Sequence, residues 1–565
     1  MGKVFRLRTW LALLALASLV VSACTPALPA TPSPGGTPSP GDTPPTGGTP
    51  PPATATAPAT EAPVTPTPAG GPSGELVVGL SAESESMDPY FVYQAAGNSI
   101  MEAIFDSLLS FDRDGNVGTG GLAESVEVID ETTLEFQLRS GITFHNGEPL
   151  NAEAVKFSLD RVRDESLASG LAGQYESIES VDAVDELTVR VNLSQPDASI
   201  NSNLATLEIV PPAYIAEVGD SGFAAEPVGT GPFVFVEWVR DDHTLLRANE
   251  SYWSGSWKGM PMVETVRFRP IPQASQRIDE LTTGGVHIIM DLPPDQMGAL
   301  DGTGSEPVYA DDGHHFEIWL TANMTGQLAE GGQATPEQQR ALEALSNLDV
   351  RRALNMAVDR QAIIDALLGG FGQPMTHLFV PGDRGYDSSI PEYAHDPDTA
   401  RQLLADAGFA DGFEVDIDFC TCDRIDLVEA VQGQLADIGV QLNIVSSELQ
   451  QFNDDWIAGA TNPMRSARLG FAADPNIYLQ FWVRSGGLLS RYTNEEIDAL
   501  IDQQAATLDT DERVDLLRQI GQVSHDDPPA IFLWSMGSLY GKRDGVDWQA
   551  HPLGYIPVFD TSASE

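Results

Sequence analysis

The chain has 565 residues, of which 42% are hydrophobic, including 22 Phe, 12 Tyr and 9 Trp. It is long and apolar enough to bury the cores of two or three packed units, which excludes a chain that is disordered throughout. Its 82 acidic residues outnumber 30 basic ones, and the formal net charge is -52. A field of this sign repels nucleic acid and anionic lipid, so neither is an expected partner.

The first residues have the pattern of an export signal. Basic residues precede an apolar run from Trp10 to about Val21, which is too short to span a bilayer but typical of a signal peptide. The run ends in Val21-Ser22-Ala23-Cys24, which resembles a bacterial lipobox. We therefore predict a signal peptide over residues 1–23 and lipidation of Cys24. The alternative is an ordinary secretory signal with an incidental cysteine.

Residues 24–74 are predicted to hold the lipidated cysteine and a tether. Pro, Thr, Gly, Ala and Ser dominate this stretch, and nothing in it can form a core. Such a composition favours an extended, solvated chain, partly polyproline II. A lipid followed by a tether predicts a globular body that stands off a membrane.

The body that follows has the periodicities of an α/β protein. Residues 76–80 have the composition of a strand, and the alternating apolar residues of 413–419 and 440–444 predict two more. Between the latter two, apolar residues recur at helical spacing over 427–438, so we expect a strand-helix-strand unit with parallel strands. Asp396-Pro397-Asp398 predicts a helix start, and Thr493 with Glu496 predicts a capping box at another.

The motifs that suggest catalysis or metal binding are weak. Gly219-Asp220-Ser221-Gly222 is similar to a protease nucleophile loop, but Phe223 follows it and no histidine has a matching context, which favours a turn. His314-His315 with Glu317 lacks metal-site spacing and predicts a strand with one buried and one exposed histidine. Cys420 and Cys422 are either a strained disulfide ring or two thiols. The sequence favours binding over catalysis and predicts no metal site.

A series of segments resembles one family. They occur in the family's order and spacing between about residues 75 and 545, and they are Ser86-Met87-Asp88-Pro89, residues 136–147, 152–158, 227–233, 249–253, 349–360 and 400–409. Together they are similar to the dipeptide- and oligopeptide-binding proteins of ABC importers, extracellular solute-binding family 5. The order and number of these segments make the resemblance specific, although each alone is weak.

This resemblance implies a fold and a mechanism. The fold is α/β, a two-lobe periplasmic-binding-protein-like fold of the large peptide-binder type. The first lobe is expected over 75–330 with an inserted subdomain at about 112–225, the second over 331–530, and a C-terminal return to the first over 531–565. A small solute is enclosed between the lobes by hinge closure and passed to the permease, without catalysis or cofactor. The protein is expected to be a monomer, anchored outside the cytoplasm.

Candidate ligand contacts follow from the same resemblance. The expected solute is a di- or oligopeptide, with an oligosaccharide, an opine, or a nickel or haem chelate as alternatives. A serine hydrolase using Ser221 and a structural surface lipoprotein are the alternatives outside this class. Asp474 is expected either to pair with a ligand ammonium or to cap the next helix. Trp456 and Trp482 are expected either to form the wall of a pocket or to pack in the core. Arg484 is expected to bind a ligand carboxylate. The candidates are Asp88, Tyr90, Gly229, Thr230, Gly231, Trp456, Asp474, Trp482 and Arg484.

Overall fold

The computed structural model describes residues 72–113, 115–321, 335–421, 423–459, 461–469 and 474–563. The predicted signal peptide, Cys24, nearly all of the predicted tether, and Cys422 lie outside these ranges. Within them, no helix is long and apolar enough to cross a membrane.

Strands alternate with helices over residues 413–469, and elsewhere several strands or several helices follow one another directly. The strands are β1 Glu75–Leu80, β2 Ser110–Phe111, β3 Val117–Gly118, β4 Ala123–Asp130, β5 Thr133–Leu138, β6 Ile178–Ala183, β7 Thr188–Leu193, β8 Phe233–Val239, β9 His243–Ala248, β10 Thr265–Pro270, β11 Ile288–Ile289, β12 Ser305–Leu320, β13 Gln373–Pro374, β14 Phe413–Cys420, β15 Val440–Ser447, β16 Met464–Leu469, β17 Ala530–Arg543, β18 Val546–Asp547 and β19 Ser562–Ala563.

The helices range from 4 to 17 residues in length. They are α1 Ala95–Ile104, α2 Ala152–Val162, α3 Ile200–Leu204, α4 Pro212–Phe223, α5 Ala274–Thr283, α6 Pro336–Ser346, α7 Leu348–Ala357, α8 Arg360–Leu367, α9 Pro397–Asp406, α10 Ile425–Asp437, α11 Leu449–Ile457, α12 Pro475–Tyr478, α13 Glu495–Ala506 and α14 Thr510–Asp526.

One large sheet runs through both lobes in the order β15-β14-β16-β12-β17-β11-β1-β10-β9-β8. The first lobe holds the strands from β11 to β8, and the second holds β14, β15 and β16. The long antiparallel strands β12 and β17 belong to both, and their register shifts between Ala310 and His314. The two lobes are therefore joined by crossing strands with an irregularity at the junction.

Three clusters of buried side chains account for most of the packing. The main core of the first lobe also includes Trp548 and Phe559, so the end of the chain packs back onto this lobe. A separate antiparallel sheet in the order β4-β5-β7-β6 lies within the first lobe. In the second lobe, one cluster includes residues of α7 and α10, and another contains Trp319, Trp456 and Trp482.

Local predictions of secondary structure are mostly confirmed. Strands β14 and β15 are parallel and α10 connects them, as the alternating and helical periods predict. Asp396 caps α9 through the backbone N–H of Thr399. The predicted capping box at Thr493 is wrong, because Asn494 is the N-cap of α13 and accepts from the N–H groups of Glu496 and Ile497.

Candidate ligand-binding site

The topology turns the carboxyl ends of strands in both lobes toward each other. Strand β12 runs from the first lobe into the second, and β16 is antiparallel to it, so β16 and its parallel neighbour β14 end facing the first lobe. Strand β17 returns to the first lobe, and β11 is antiparallel to it, so β11 and its parallel neighbour β1 end facing the second lobe. Ligands of α/β sheets bind outside the carboxyl ends of parallel strands, which makes the region between the lobes the candidate site.

A shallow depression opens at the carboxyl ends of β14 and β16, where the space between side chains is about 470 Å³ with open solvent included. We call it the tryptophan pocket, and its lining is Cys420, Asp423, Phe452, Asn453, Trp456, Ile457, Arg465, Ser466, Ala467, Arg468, Leu469, Trp482 and Leu489. The ring centroids of Trp456 and Trp482 are 5.9 Å apart. The Trp456 indole N–H donates to the carbonyl of Leu489 at 2.8 Å. Both tryptophans belong to a core cluster and also form a wall of this pocket.

Two arginines of β16 bring positive charge to this pocket. Arg465 is 4% exposed, and its guanidinium carbon lies 3.4 Å from the ring centroid of Phe452 and 4.5 Å from that of Trp456. Burial lowers the pKa of Arg465. Arg468 lies over the ring of Phe316 at 5.6 Å. The sequence motifs did not single out either arginine, because neither stands in a segment that we recognised.

Asp474 is fully buried and both of its carboxylate oxygens are engaged. It caps α12 by accepting the N–H of Asn476 at 2.9 Å. The guanidinium of Arg513 donates to its two oxygens at 2.5 Å and 2.8 Å, and the Ser202 hydroxyl donates at 3.2 Å. The sequence left two roles open for Asp474, a ligand contact and a helix cap. In the structure Asp474 caps a helix and also belongs to a buried ion pair. A ligand ammonium would have to compete with Arg513 for this carboxylate.

The same cluster joins the two lobes. Ser202 belongs to α3 of the first lobe, whereas Asp474 and Arg513 belong to the second. Arg513 also donates to the carbonyl of Ala198 at 2.9 Å, and the N–H of Ala198 donates to the carbonyl of Ala505 at 2.8 Å. Residues 198–202 therefore form a direct contact between the lobes beside the candidate site.

Asp88 and Tyr90 lie at the carboxyl side of β1, but protein groups occupy their polar atoms. The guanidinium of Arg161 donates to both oxygens of Asp88, at 3.2 Å and 2.5 Å. Asp88 also caps the short 3-10 helix at 89–91. The Tyr90 hydroxyl donates to the carbonyl of Glu208 at 3.0 Å, and its ring lies 4.9 Å from the Arg161 guanidinium carbon. Both residues are buried within the first lobe.

The glycine loop packs against its own lobe. A Cβ on Gly229 would come within 2.1 Å of the Ile104 carbonyl oxygen, and one on Gly231 within 2.5 Å of the Ile104 carbonyl carbon. Thr230 is buried and donates to Asp106 at 3.0 Å. The three residues are candidate ligand contacts from the sequence, but in the structure the backbone of their loop packs closely against the end of α1.

Arg484 is on the protein surface, where its side chain is 39% exposed and pairs with Asp502 at 3.0 Å. It does not line the tryptophan pocket. The sequence places it two residues from Trp482, but the chain leaves the π-helical turn Leu479–Val483 at this point, and Arg484 is its C-cap. The structure thus brings Trp456 and Trp482 together and leaves Arg484 apart from them.

A buried polar cluster lies beside the lobe junction. The sequence motifs singled out His315 and Glu317 of this cluster but not Asp383 or Tyr478. The His315 Nε2 lies 3.1 Å from Asp383, and its Nδ1 lies 3.7 Å from Glu317. The Tyr478 hydroxyl donates to Glu317 at 3.2 Å. Burial lowers the pKa of His315, but the hydrogen bond to Asp383 and the negative charges of Asp383 and Glu317 outweigh it and raise the pKa to about 10. His315 is therefore a cation held between two carboxylates.

No group of three or more side chains able to ligate a metal comes together in the described part of the chain. Ser221 lies in α4, whose backbone is kinked at Gly219, and the neighbouring Asp220 pairs with Arg161 at 2.8 Å. Cys420 is disulfide-bonded, so it is not a free thiol, and Cys422 lies outside the described residues.

Comparisons with known proteins identify the class. The bacterial extracellular solute-binding proteins, family 5, have a family model that matches residues 119–489. The glutathione-binding protein GsiB of Salmonella typhimurium is 26% identical over 482 residues, which cover 81% of this chain and 88% of GsiB. The structure of HbpA2 from Haemophilus parasuis has a TM-score of 0.76 at 25% identity and covers 87% of this chain and 100% of its own.

The periplasmic binding protein DppA from Helicobacter pylori, in complex with the peptide STSA, has the same fold. Its TM-score is 0.69 at 24% identity, with 87% of this chain and 98% of DppA covered. The fold and the facing lobes define a two-lobe solute-binding protein that works outside the cytoplasm. The chain belongs to the bacterial extracellular solute-binding proteins of family 5, which serve ABC importers and are not enzymes, as its sequence motifs predict.

Proposed function

We propose that this protein captures a di- or oligopeptide between its two lobes and delivers it to the permease of an ABC importer. The observation that carries the proposal is the tryptophan pocket at the strand ends that face the first lobe. Aromatic walls with a few polar groups are typical of small-molecule sites, and arginines suit a ligand that carries carboxylates. A relative named for glutathione, itself a small peptide, supports this class of solute.

The mechanism that we propose is hinge closure. The register shift between Ala310 and His314 in the crossing strand β12 provides a place where backbone angles can change without breaking either core. A solute that contacts both lobes favours the closed state by its difference in affinity for the two states. The contact of Ser202 with Asp474 lies where such a closure would press the lobes together.

Isothermal titration calorimetry tests the solute class. The protein should be denatured and refolded first, so that a solute retained during purification is removed. We expect micromolar or tighter binding of at least one member of a set of di- to pentapeptides that includes glutathione. Binding of none of them, with tight binding of an opine, an oligosaccharide or a metal chelate instead, would reject the peptide and keep the fold's general role.

We propose further that the protein is held at the membrane by a lipid on Cys24. The support is the lipobox-like Val21-Ser22-Ala23-Cys24 after an apolar run, followed by a Pro- and Thr-rich tether. One acyl chain binds a membrane only marginally, so stable anchoring requires more than one chain on this residue. In a bacterial host, Cys24→Ser should move the protein from the membrane fraction to the soluble fraction and abolish labelling by an alkyne fatty acid. Retention of the Cys24→Ser protein in the membrane fraction would reject the anchor.

A further inference from the structure

Arg465 is a buried cation that lacks a carboxylate partner. It is 4% exposed, and among the described carboxylates none lies within 4.0 Å of its nitrogens. By contrast, the other buried arginines of the described chain are paired with a carboxylate or fully hydrogen-bonded. Arg161 and Arg513 each pair with an aspartate at 2.5 Å. Arg277 and Arg360 have no carboxylate partner among the described residues, but all three of their nitrogens donate to protein oxygens. A buried guanidinium is normally paired or fully hydrogen-bonded because its desolvation is costly.

The hydrogen bonds of Arg465 fix its position but leave one of its three nitrogens without a partner. Its Nη1 donates to the carbonyl of Phe452 at 2.7 Å and its Nη2 to the side-chain oxygen of Asn453 at 3.1 Å. Its Nε is buried and has no hydrogen-bond partner. The aromatic rings of Phe452 and Trp456 hold the plane of the guanidinium. This arrangement is that of a preorganised donor, because the group cannot rotate to find another acceptor.

The acidic residues nearby are used elsewhere or lie apart from the guanidinium. Asp418 accepts from the backbone and side chain of Asn462 at 2.9 Å and 2.6 Å. Asp455 accepts from Gln451 at 2.6 Å. Asp423 lines the pocket and is the only acidic residue among its described lining, against two arginines. The pocket lining is thus positive by one charge in a protein whose formal net charge is -52.

We propose that Arg465 is the anchor for a carboxylate of the captured solute in the tryptophan pocket. An ionised carboxylate would satisfy the buried N–H and neutralise the charge, and such charge-assisted hydrogen bonds are the strong ones. The inference rests on the proposed function for the solute's location and deepens it by requiring an anionic solute. This carboxylate is either the C-terminus of the captured peptide or one of its acidic side chains, and both offer the same chemical group to Arg465.

Three tripeptide probes distinguish these sources by calorimetry: Ala-Glu-Ala, Ala-Gln-Ala, and Ala-Gln-Ala with an amidated C-terminus. If Arg465 binds the C-terminus, amidation should weaken binding to the wild-type protein at least tenfold. If it binds a side chain, the change from Glu to Gln should do so. In both Arg465→Met and Arg465→Lys, the difference in affinity between the compared probes should shrink to less than threefold. Methionine removes the charge, and lysine keeps a charge but lacks the fixed Nε.

Arg491 supplies a matched control. Its guanidinium carbon lies 5.1 Å from the Trp456 ring centroid, and it donates to the carbonyls of Leu488, Ser490 and Trp456, but it does not line the pocket. Arg491→Met should lower the melting temperature and leave the discrimination between probes unchanged. Discrimination that survives in both Arg465 variants, or that Arg491→Met removes equally, would overturn the proposal.

Benzoate and benzamide test the carboxylate anchor without any peptide. At millimolar concentration and fixed ionic strength, benzoate should raise the melting temperature of the wild-type protein and benzamide should not. The difference should vanish in the Arg465 variants. A benzoate effect without peptide binding would reject the peptide class and keep the anchor, whereas equal effects of the two compounds and no peptide discrimination would reject the anchor.

Discussion

At the scale of single residues, Asp474 stabilises the fold. Its carboxylate is 0% exposed and pairs with Arg513, whose side chain is 5% exposed. Asp474→Ala would leave this guanidinium buried without its partner, which typically costs about 3–5 kcal/mol. We expect the free energy of unfolding, measured by chemical denaturation, to fall by that amount while the ligand affinity of the folded protein changes little.

Asp396→Ala is the matched control for the cap alone. Asp396 accepts the N–H of Thr399 at the start of α9 and has no arginine partner among the described residues. Its loss should cost about 1 kcal/mol. Equal destabilisation by the two variants would show that the ion pair of Asp474 contributes nothing to stability. A hundredfold loss of ligand affinity in Asp474→Ala would show instead that Asp474 contacts the ligand.

His315 makes stability depend on pH in the alkaline range. Because Asp383 and Glu317 raise the pKa of His315 to about 10, above its ordinary 6.5, the folded state binds a proton that the unfolded state has lost. This contribution is complete below about pH 6.5 and disappears as pH rises through about 10. Denaturation at a series of pH values should therefore show falling stability over this window, with a much smaller slope in His315→Gln.

The variant His395→Gln provides a comparison for this measurement. The His395 side chain is 40% exposed and lies 3.5 Å from Asp359. Its replacement should leave the alkaline slope as in the wild-type protein. Identical slopes for wild type and His315→Gln would contradict the assignment of this proton to His315.

At the scale of elements, the glycine loop at 229–231 fixes how β8 begins against α1. Gly231→Ala would place a Cβ 2.5 Å from the Ile104 carbonyl carbon, so the backbone must shift. We expect a loss of several degrees in melting temperature. Gly433→Ala is the opposite case, because Gly433 is exposed in α10 with nothing within 4 Å of a new Cβ, and it should gain about 0.5–1 kcal/mol. Unaltered stability of Gly231→Ala would contradict the packing role.

Elements with strong local patterns were predictable from the sequence, and contacts between distant residues were not. The alternation of 413–419 and 440–444 predicted β14 and β15, because a period of two follows directly from strand geometry. Apolar residues from Val350 to Leu367 recur at the spacing of one helix, but the chain forms two helices there, since Val358 has extended backbone and Asp359 caps α8 through Ala362. A periodic pattern can persist across such a break.

Candidate site residues were harder to predict for the same reason. Asp88 and Arg161 are 73 residues apart in the sequence, and Asp474 and Arg513 are 39 residues apart. No local sequence pattern therefore predicts either ion pair. Arg465 lies in a strand whose other residues indicate nothing about its burial. The family resemblance singled out the region after β16, but it could not say which side chains are already occupied by protein partners.

At the scale of the whole molecule, the formal net charge of -52 predicts stability that depends on salt. Self-repulsion destabilises a compact, highly charged chain, and ions at 0.1 M screen it beyond about 10 Å. The melting temperature should rise steadily from about 10 mM to about 0.5 M sodium chloride. Sucrose of matched osmolarity should give a smaller rise, and a melting temperature that is flat in salt would contradict the prediction.

Closure of the two lobes on a captured solute is tested most directly by measuring a distance between them. Spin labels on Glu153→Cys in α2 and Glu495→Cys in α13, both exposed, report this distance by pulsed electron paramagnetic resonance in a Cys24→Ser background. A saturating peptide should shorten the distance and narrow its distribution. An unchanged distribution at a peptide concentration that calorimetry shows to be saturating would contradict closure as the mechanism of capture.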